Sequence, residues 1–129
     1  MPYDPNAILV VDDDPLIRSI CQKVVESNGF TSVLAENGEQ GLSLFRDRHD
    51  GIALVLSDIS MPVMNGIDLA HAIFEIKPHS NVILMTGYTT LVPEDLQKLC
   101  AVLYKPFTPR QLIDAIKKCL DYQAQHTVA

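Results

Sequence analysis

The segment Ile52–Leu56 reads Ile-Ala-Leu-Val-Leu, an apolar run without polar alternation that leads straight into Ser57-Asp58. A strand with one face in water alternates apolar and polar side chains, so this run belongs inside a parallel sheet covered by helices on both faces. Comparable runs occur at Ala7–Val11, Val82–Met85 and Ala101–Tyr104, with a more mixed one at Thr31–Ala35. Between them apolar residues recur at helical spacing, as in Ile17, Cys21, Val24 and Val25 or Leu69, Ala70 and Ile73. Strand and helix therefore alternate, and parallel strands joined through helices need right-handed crossovers. The expected fold is α/β, a doubly wound five-stranded parallel sheet flanked by helices. A chain of 129 residues holds one such domain, not two. Its expected limits are residues 7–122, between an N-terminal extension 1–6 and a tail 123–129 that has little to bury and should fray.

Local signals punctuate the helices. Asp14-Pro15 supplies an N-cap and a first-turn proline, and Asn28-Gly29 a stop. Asn37 with Gln40, and Thr108-Pro109 with Gln111, have the form of capping boxes. Asn65-Gly66 reads as a turn before the third helix, which Lys77-Pro78 closes. Only residues 93–99 are left for a fourth helix, which is therefore expected to be short.

Charge and composition exclude several functions. A net charge of -6 gives no electrostatic footprint for a nucleic acid, so direct nucleic-acid binding is not expected. The apolar runs are far shorter than the roughly 20 residues that cross a bilayer, and Met1–Asn6 has neither the basic flank nor the apolar stretch of an export signal. No membrane insertion and a cytoplasmic location are expected. Cys21, Cys100 and Cys119 are odd in number, scattered and set among apolar neighbours, as reduced buried thiols would be. No GxGxxG or GxxxxGK[ST] motif occurs, and the four histidines lack metal-ligand spacing.

In doubly wound sheets the ligand crevice lies beyond the carboxyl ends of the strands. Here those ends carry Asp12 and Asp13, Asp58, Thr86 and Lys105. Singly each has a plain explanation: a cap, an Asx-turn, a turn threonine, a surface lysine. A cap, however, needs one acid, and Asp12-Asp13-Asp14 provides three. If the first and third strands are neighbours, Asp12, Asp13 and Asp58 share a few ångströms, and their repulsion calls for a hard divalent cation. Mg²⁺ suits such a site because it takes a couple of carboxylates, keeps waters and accepts phosphate oxygens. With Lys105 to neutralise and Thr86 to hydrogen-bond a phosphoryl group, Asp58 becomes a candidate nucleophile for an aspartyl phosphate.

The segments ILVVDDDP, LVLSDISMPVMNG, VILMTGY and YKPF, in that order and spacing, resemble the receiver domain of two-component response regulators, over about Ala7 to Leu120. The resemblance implies a flavodoxin-like strand order of 2-1-3-4-5, with Asp58 as phosphoacceptor. It implies Asp13, Asp58 and the carbonyl of Ser60 as direct Mg²⁺ ligands, Asp12 acting mainly through a metal-bound water, Thr86 and Lys105 contacting the phosphoryl group, and a cis Lys105-Pro106 bond. It further implies a signalling switch, not a turnover enzyme, phosphorylated by a sensor histidine kinase or a histidine phosphotransfer protein. Output would pass through a downstream protein, a homodimer or an attached domain. Two departures stand out. Val102 occupies the place, three residues before Lys105, where receivers often carry an aromatic ring. The stretch from Thr86 to Lys105 is short, as in receivers attached to hybrid sensor kinases. Ser60 and Tyr88, two residues beyond Asp58 and Thr86, are expected to influence phosphoryl lifetime. Rival readings are a haloacid-dehalogenase-type phosphatase with Asp12 as nucleophile, and a pseudo-receiver that binds a partner without phosphorylation.

Overall fold

The computed structural model describes residues 6–87, 96 and 98–126. In chain order the elements are β1 (Ala7–Val11), α1 (Pro15–Ser27), β2 (Thr31–Ala35), α2 (Gly38–Arg48), a 3₁₀ turn (His49–Gly51), β3 (Ile52–Asp58), α3 (Gly66–Ile76), β4 (Val82–Thr86), β5 (Ala101–Tyr104) and α4 (Pro109–His126). All strand pairs are parallel and the sheet order is β2-β1-β3-β4-β5. The expected doubly wound α/β architecture and its strand order are both present.

Burial follows from this order. The three central strands β1, β3 and β4 are buried almost throughout, as their unbroken apolar runs require, whereas the edge strands β2 and β5 are only partly covered. Alternation along each strand sorts the side chains into two cores. On one face Ile8, Val10, Leu54, Leu56, Ile83 and Met85 pack with Cys21, Val24 and Val25 of α1 and Leu112, Ile113 and Ile116 of α4. On the other, Leu9, Val11, Val55, Val82 and Leu84 pack with Leu42 and Phe45 of α2 and Leu69, Ala70 and Ile73 of α3. Burying a side chain of this size is worth about 1.5–3 kcal/mol, and both faces contribute, so the sheet is held between two helical layers.

The helix ends are where local chemistry sets the boundaries. The carboxylate of Asp14 accepts from the Leu16 N–H at 2.9 Å, and Pro15 occupies the first turn, where its missing N–H costs nothing. α1 stops at Asn28 and Gly29, with Gly29 in the left-handed region at φ 89° while its N–H donates to Glu26 and that of Phe30 to Val25. Thr108 and Gln111 form the reciprocal capping box expected of them, at 2.8 and 3.1 Å. The Asn37 box is half as drawn: Asn37 Oδ1 accepts from the Gln40 N–H, but the Gln40 side chain reaches back to the N–H of Glu36 instead.

Three expectations need amendment or lie out of view. Cys100 is exposed, in contrast to the buried Cys21 and Cys119, because it sits just ahead of an edge strand. α4 continues through His126, past the point at Tyr122 where the packed domain was expected to end. The short helix at 93–99 falls largely, and Tyr88 wholly, outside the described residues, although Leu96 is buried in the core that α2 and α3 share.

Candidate functional site

The alternating rows that build one core also build the site. Ile8 and Val10 lead to Asp12, Leu54 and Leu56 to Asp58, and Leu103 to Lys105, so all three polar groups continue the face packed by α1 and α4. β1 and β3 are neighbours, so Asp12 and Asp58 are carried side by side past the last paired residues, Val11 and Ser57. Carboxylate oxygens of Asp12, Asp13 and Asp58 lie within 4.8 Å of one another. Asp12 and Asp58 are buried and Asp13 is exposed. Thr86 follows Leu84 on the opposite row, one residue beyond the Asp58–Met85 pair, and is also buried.

Lys105 binds the two buried acids together. Its Nζ lies 3.3 Å from Asp12 Oδ2 and 3.3 Å from Asp58 Oδ1. It is placed by its own N–H, which donates to the Thr86 carbonyl at 2.7 Å, and the following Lys105-Pro106 bond is cis, as the resemblance implied. The other oxygen of Asp12, Oδ1, accepts from the Asp14 N–H at 2.9 Å. Both oxygens of Asp12 are thus engaged.

The electrostatics are a contest. Burial raises the pKa of Asp12; the Asp14 N–H and Lys105 oppose it, the charge of Asp58 adds to it, and the net result is upward. Burial likewise raises Asp58 against the pull of Lys105 and a hydrogen bond from the backbone N–H of Ser60, and Asp13 adds to the rise. For Lys105 burial acts downward, but the two carboxylates outweigh it and hold the ammonium above its ordinary value. One lysine between two buried acids leaves a negative excess, which Asp13 increases.

Two residues to which the sequence reading gave no part in the site shape this rim. Arg18, one turn into α1, donates from Nη1 to the carbonyl of Asp12 at 2.7 Å and lies 3.9 Å from Glu36, fixing the β1 end. Gly66 packs so tightly that a Cβ there would stand 2.2 Å from the carbonyl oxygen of Asp58. Asn65, read as a turn residue, caps α3 by accepting from the Asp68 N–H. An Asn followed three residues later by Asp was the available signal for that cap; nothing local announced the other two.

Residues 8–117 match the response regulator receiver domain family. The chain belongs to that family. It is 35% identical over 80 residues to the autoinducer 1 sensor kinase/phosphatase LuxN of Vibrio campbellii, covering 62% of this chain and 9% of that protein. It is 33% identical over 116 residues to the response regulator receiver protein CpdR of Brucella abortus, covering 88% of this chain and 95% of the relative. Among solved structures, response regulator protein TrrA of Thermotoga maritima in complex with Mg²⁺-BeF superimposes with a TM-score of 0.82 at 32% identity, covering 89% of this chain and 99% of that one. The receiver domain therefore spans nearly the whole of CpdR but under half of several longer curated relatives. Among the described residues no helix is long and apolar enough to cross a membrane.

Proposed function

We propose that this receiver domain accepts a phosphoryl group on Asp58, with Mg²⁺, from the phosphohistidine of a sensor histidine kinase or a histidine phosphotransfer protein in the cytoplasm. The observation that carries the reading is the convergence of Asp12, Asp13 and Asp58 on one point, with Lys105 bridging the two buried members. Three hard oxygen donors with negative excess fit Mg²⁺ better than a soft or large ion. Asp13 and Asp58 have carboxylate capacity to hold it together with the carbonyl of Ser60, whereas the engaged oxygens of Asp12 suit contact through a water. When bound, the metal supplies charge neutralisation to incoming phosphoryl oxygens. That TrrA is known as a complex with Mg²⁺-BeF supports the same choice of ion here.

The chain's own residues do the rest. An oxygen of Asp58 attacks phosphorus as the bond from phosphorus to the donor imidazole nitrogen breaks, and that nitrogen recovers a proton. Lys105, already 3.3 Å from the attacking carboxylate, pairs with a phosphoryl oxygen, and Thr86 is the candidate to donate its hydroxyl to another. The result is a switch, not a turnover catalyst: it assists only its own phosphorylation and hydrolysis, and the acyl phosphate biases two packings of the domain. By likeness to the family, Ser60 and Tyr88 should influence how long the acyl phosphate survives.

Incubation with acetyl phosphate and Mg²⁺, followed by intact-mass and peptide mapping, tests this. One phosphoryl group should appear, on Asp58, and Asp58→Asn should abolish it while the fold survives. Labelling on Asp12 would favour the phosphatase reading; no labelling in folded protein, with no spectral response to beryllofluoride, would favour the pseudo-receiver.

A further inference from the structure

A second cluster of reactive groups lies at the opposite end of the sheet. Cys100 immediately precedes β5 and Cys119 lies on α4, and the two thiols are near enough to influence each other's charge. Both open onto a cleft of about 600 Å³ that Pro78, Asn81, Lys98 and Lys118 also line. Cys100 is held there on two sides: its N–H donates to the Val82 carbonyl at 2.9 Å, and its sulfur lies 3.4 Å from Asn81 Oδ1. The Asn81 amide is itself oriented by donating to the Ala53 carbonyl at 3.1 Å. Cys100 is exposed and Cys119 is buried against the core of α1 and α4. An exposed thiol that shares a cleft with a buried one and with two lysines is the arrangement of an attacking and a resolving cysteine.

The geometry points to a redox modification site: Cys100 and Cys119 close into an intramolecular disulfide when the protein meets hydrogen peroxide. The Cys100 thiolate attacks the peroxide, the O–O bond breaks, and Cys100 sulfenic acid and hydroxide form. Cys119 sulfur then attacks the Cys100 sulfur, an S–S bond forms, and the sulfenic oxygen leaves as water. In sum two thiols lose two electrons and two protons, and one peroxide becomes two waters. Cys100 is the exposed member of the pair and Cys119 the buried one, so peroxide reaches Cys100 first. The bridge would tie the start of β5 to α4, far from Asp58, so it goes beyond the phosphoacceptor reading and does not depend on it.

The full chain, treated with peroxide and then with an alkylating agent, should give two tryptic peptides joined by a disulfide, one holding Cys100 and the other Cys119. Cys21, buried and outside the pair, should stay reduced. Cys119→Ser should leave Cys100 to accumulate as sulfenic or sulfinic acid, Cys100→Ser should slow peroxide consumption, and Asp58→Asn should change neither. Recovery of Cys100 and Cys119 as separate oxidised or alkylated thiols in the wild-type protein would overturn the proposal. So would a disulfide found only between two chains.

Discussion

At Asp12 and Asp58 the chain keeps charge where burial disfavours it, and a direct consequence is a pH dependence of stability. Both carboxylates have pKa values raised above the unfolded value of 3.8, burial being the largest cause. Between that value and their raised values the folded state binds more protons than the unfolded one, so stability falls as pH rises through the window. The contribution is fully present below about 3.8 and lost above the raised values. Lys105 behaves oppositely in position: with its pKa raised above 10.5, its pairing contributes throughout the neutral range and is lost only in strong alkali. Replacing Asp58 by the neutral, nearly isosteric Asn removes one member of the excess. In chelator, Asp58→Asn is expected to be more stable than wild type by about 1 kcal/mol at pH 7. That advantage should shrink as the pH is lowered toward 4. Urea titrations of both proteins across the range measure it, and a variant less stable than wild type at neutral pH would contradict the view that Lys105 leaves the acids under-compensated.

At the scale of the element, the two alternating rows explain both what could be read from the chain and what could not. Ile8-Val10-Asp12 and Leu54-Leu56-Asp58 are visible as strings, since period-two burial makes an acid at the end of an apolar row point where the row points. The fully apolar β3 likewise announced a central parallel strand. What stayed hidden depends on what lies across a gap. Gly66 looks like half of a turn, and only the packed helix shows that its missing side chain makes room for the backbone of Asp58. Arg18 has the helix-surface position of any exposed arginine until β1 places a carbonyl beneath it. Cys100 and Cys119 belong to different elements, and no spacing rule joins them. Gly66→Ala tests the first of these. Alanine favours a helix by up to about 1 kcal/mol, but a Cβ overlapping a buried backbone carbonyl forces α3 or the β3 end to move, at a cost of about 1–3 kcal/mol. The expected outcome is a net destabilisation of about 1–2 kcal/mol, read from urea midpoints, with slower acetyl phosphate labelling of Asp58. Unchanged labelling would show that the β3 end does not depend on this contact.

Over the whole molecule, two hydrophobic layers cover the faces of the sheet while the carboxyl end of its strands holds like charges together, and the net charge of -6 gives no relief. A divalent cation at the carboxylate rim would therefore act as a folding ligand as well as a phosphorylation cofactor. A ligand bound only by the folded state stabilises by RT ln(1 + [L]/Kd), about 2.7 kcal/mol at one hundred times Kd. Mg²⁺ should raise the thermal midpoint saturably, beyond the effect of NaCl at matched ionic strength, and chelator should reverse it. Asp13 is exposed, so Asp13→Asn should keep the metal-free midpoint and lose most of the Mg²⁺ gain. Lys105 enters with the opposite sign. It already serves as a resident counter-ion at 3.3 Å from two of the acids, and any added cation competes with it for the same charge. Removing it uncovers a buried pair, so Lys105→Ala should lower the metal-free stability by about 2 kcal/mol once solvent access is allowed for, and bind Mg²⁺ more tightly than wild type. Equal Mg²⁺ affinity in the two proteins would mean that the lysine and the metal do not share the carboxylates, and the competition inferred from the ion-pair geometry would be wrong.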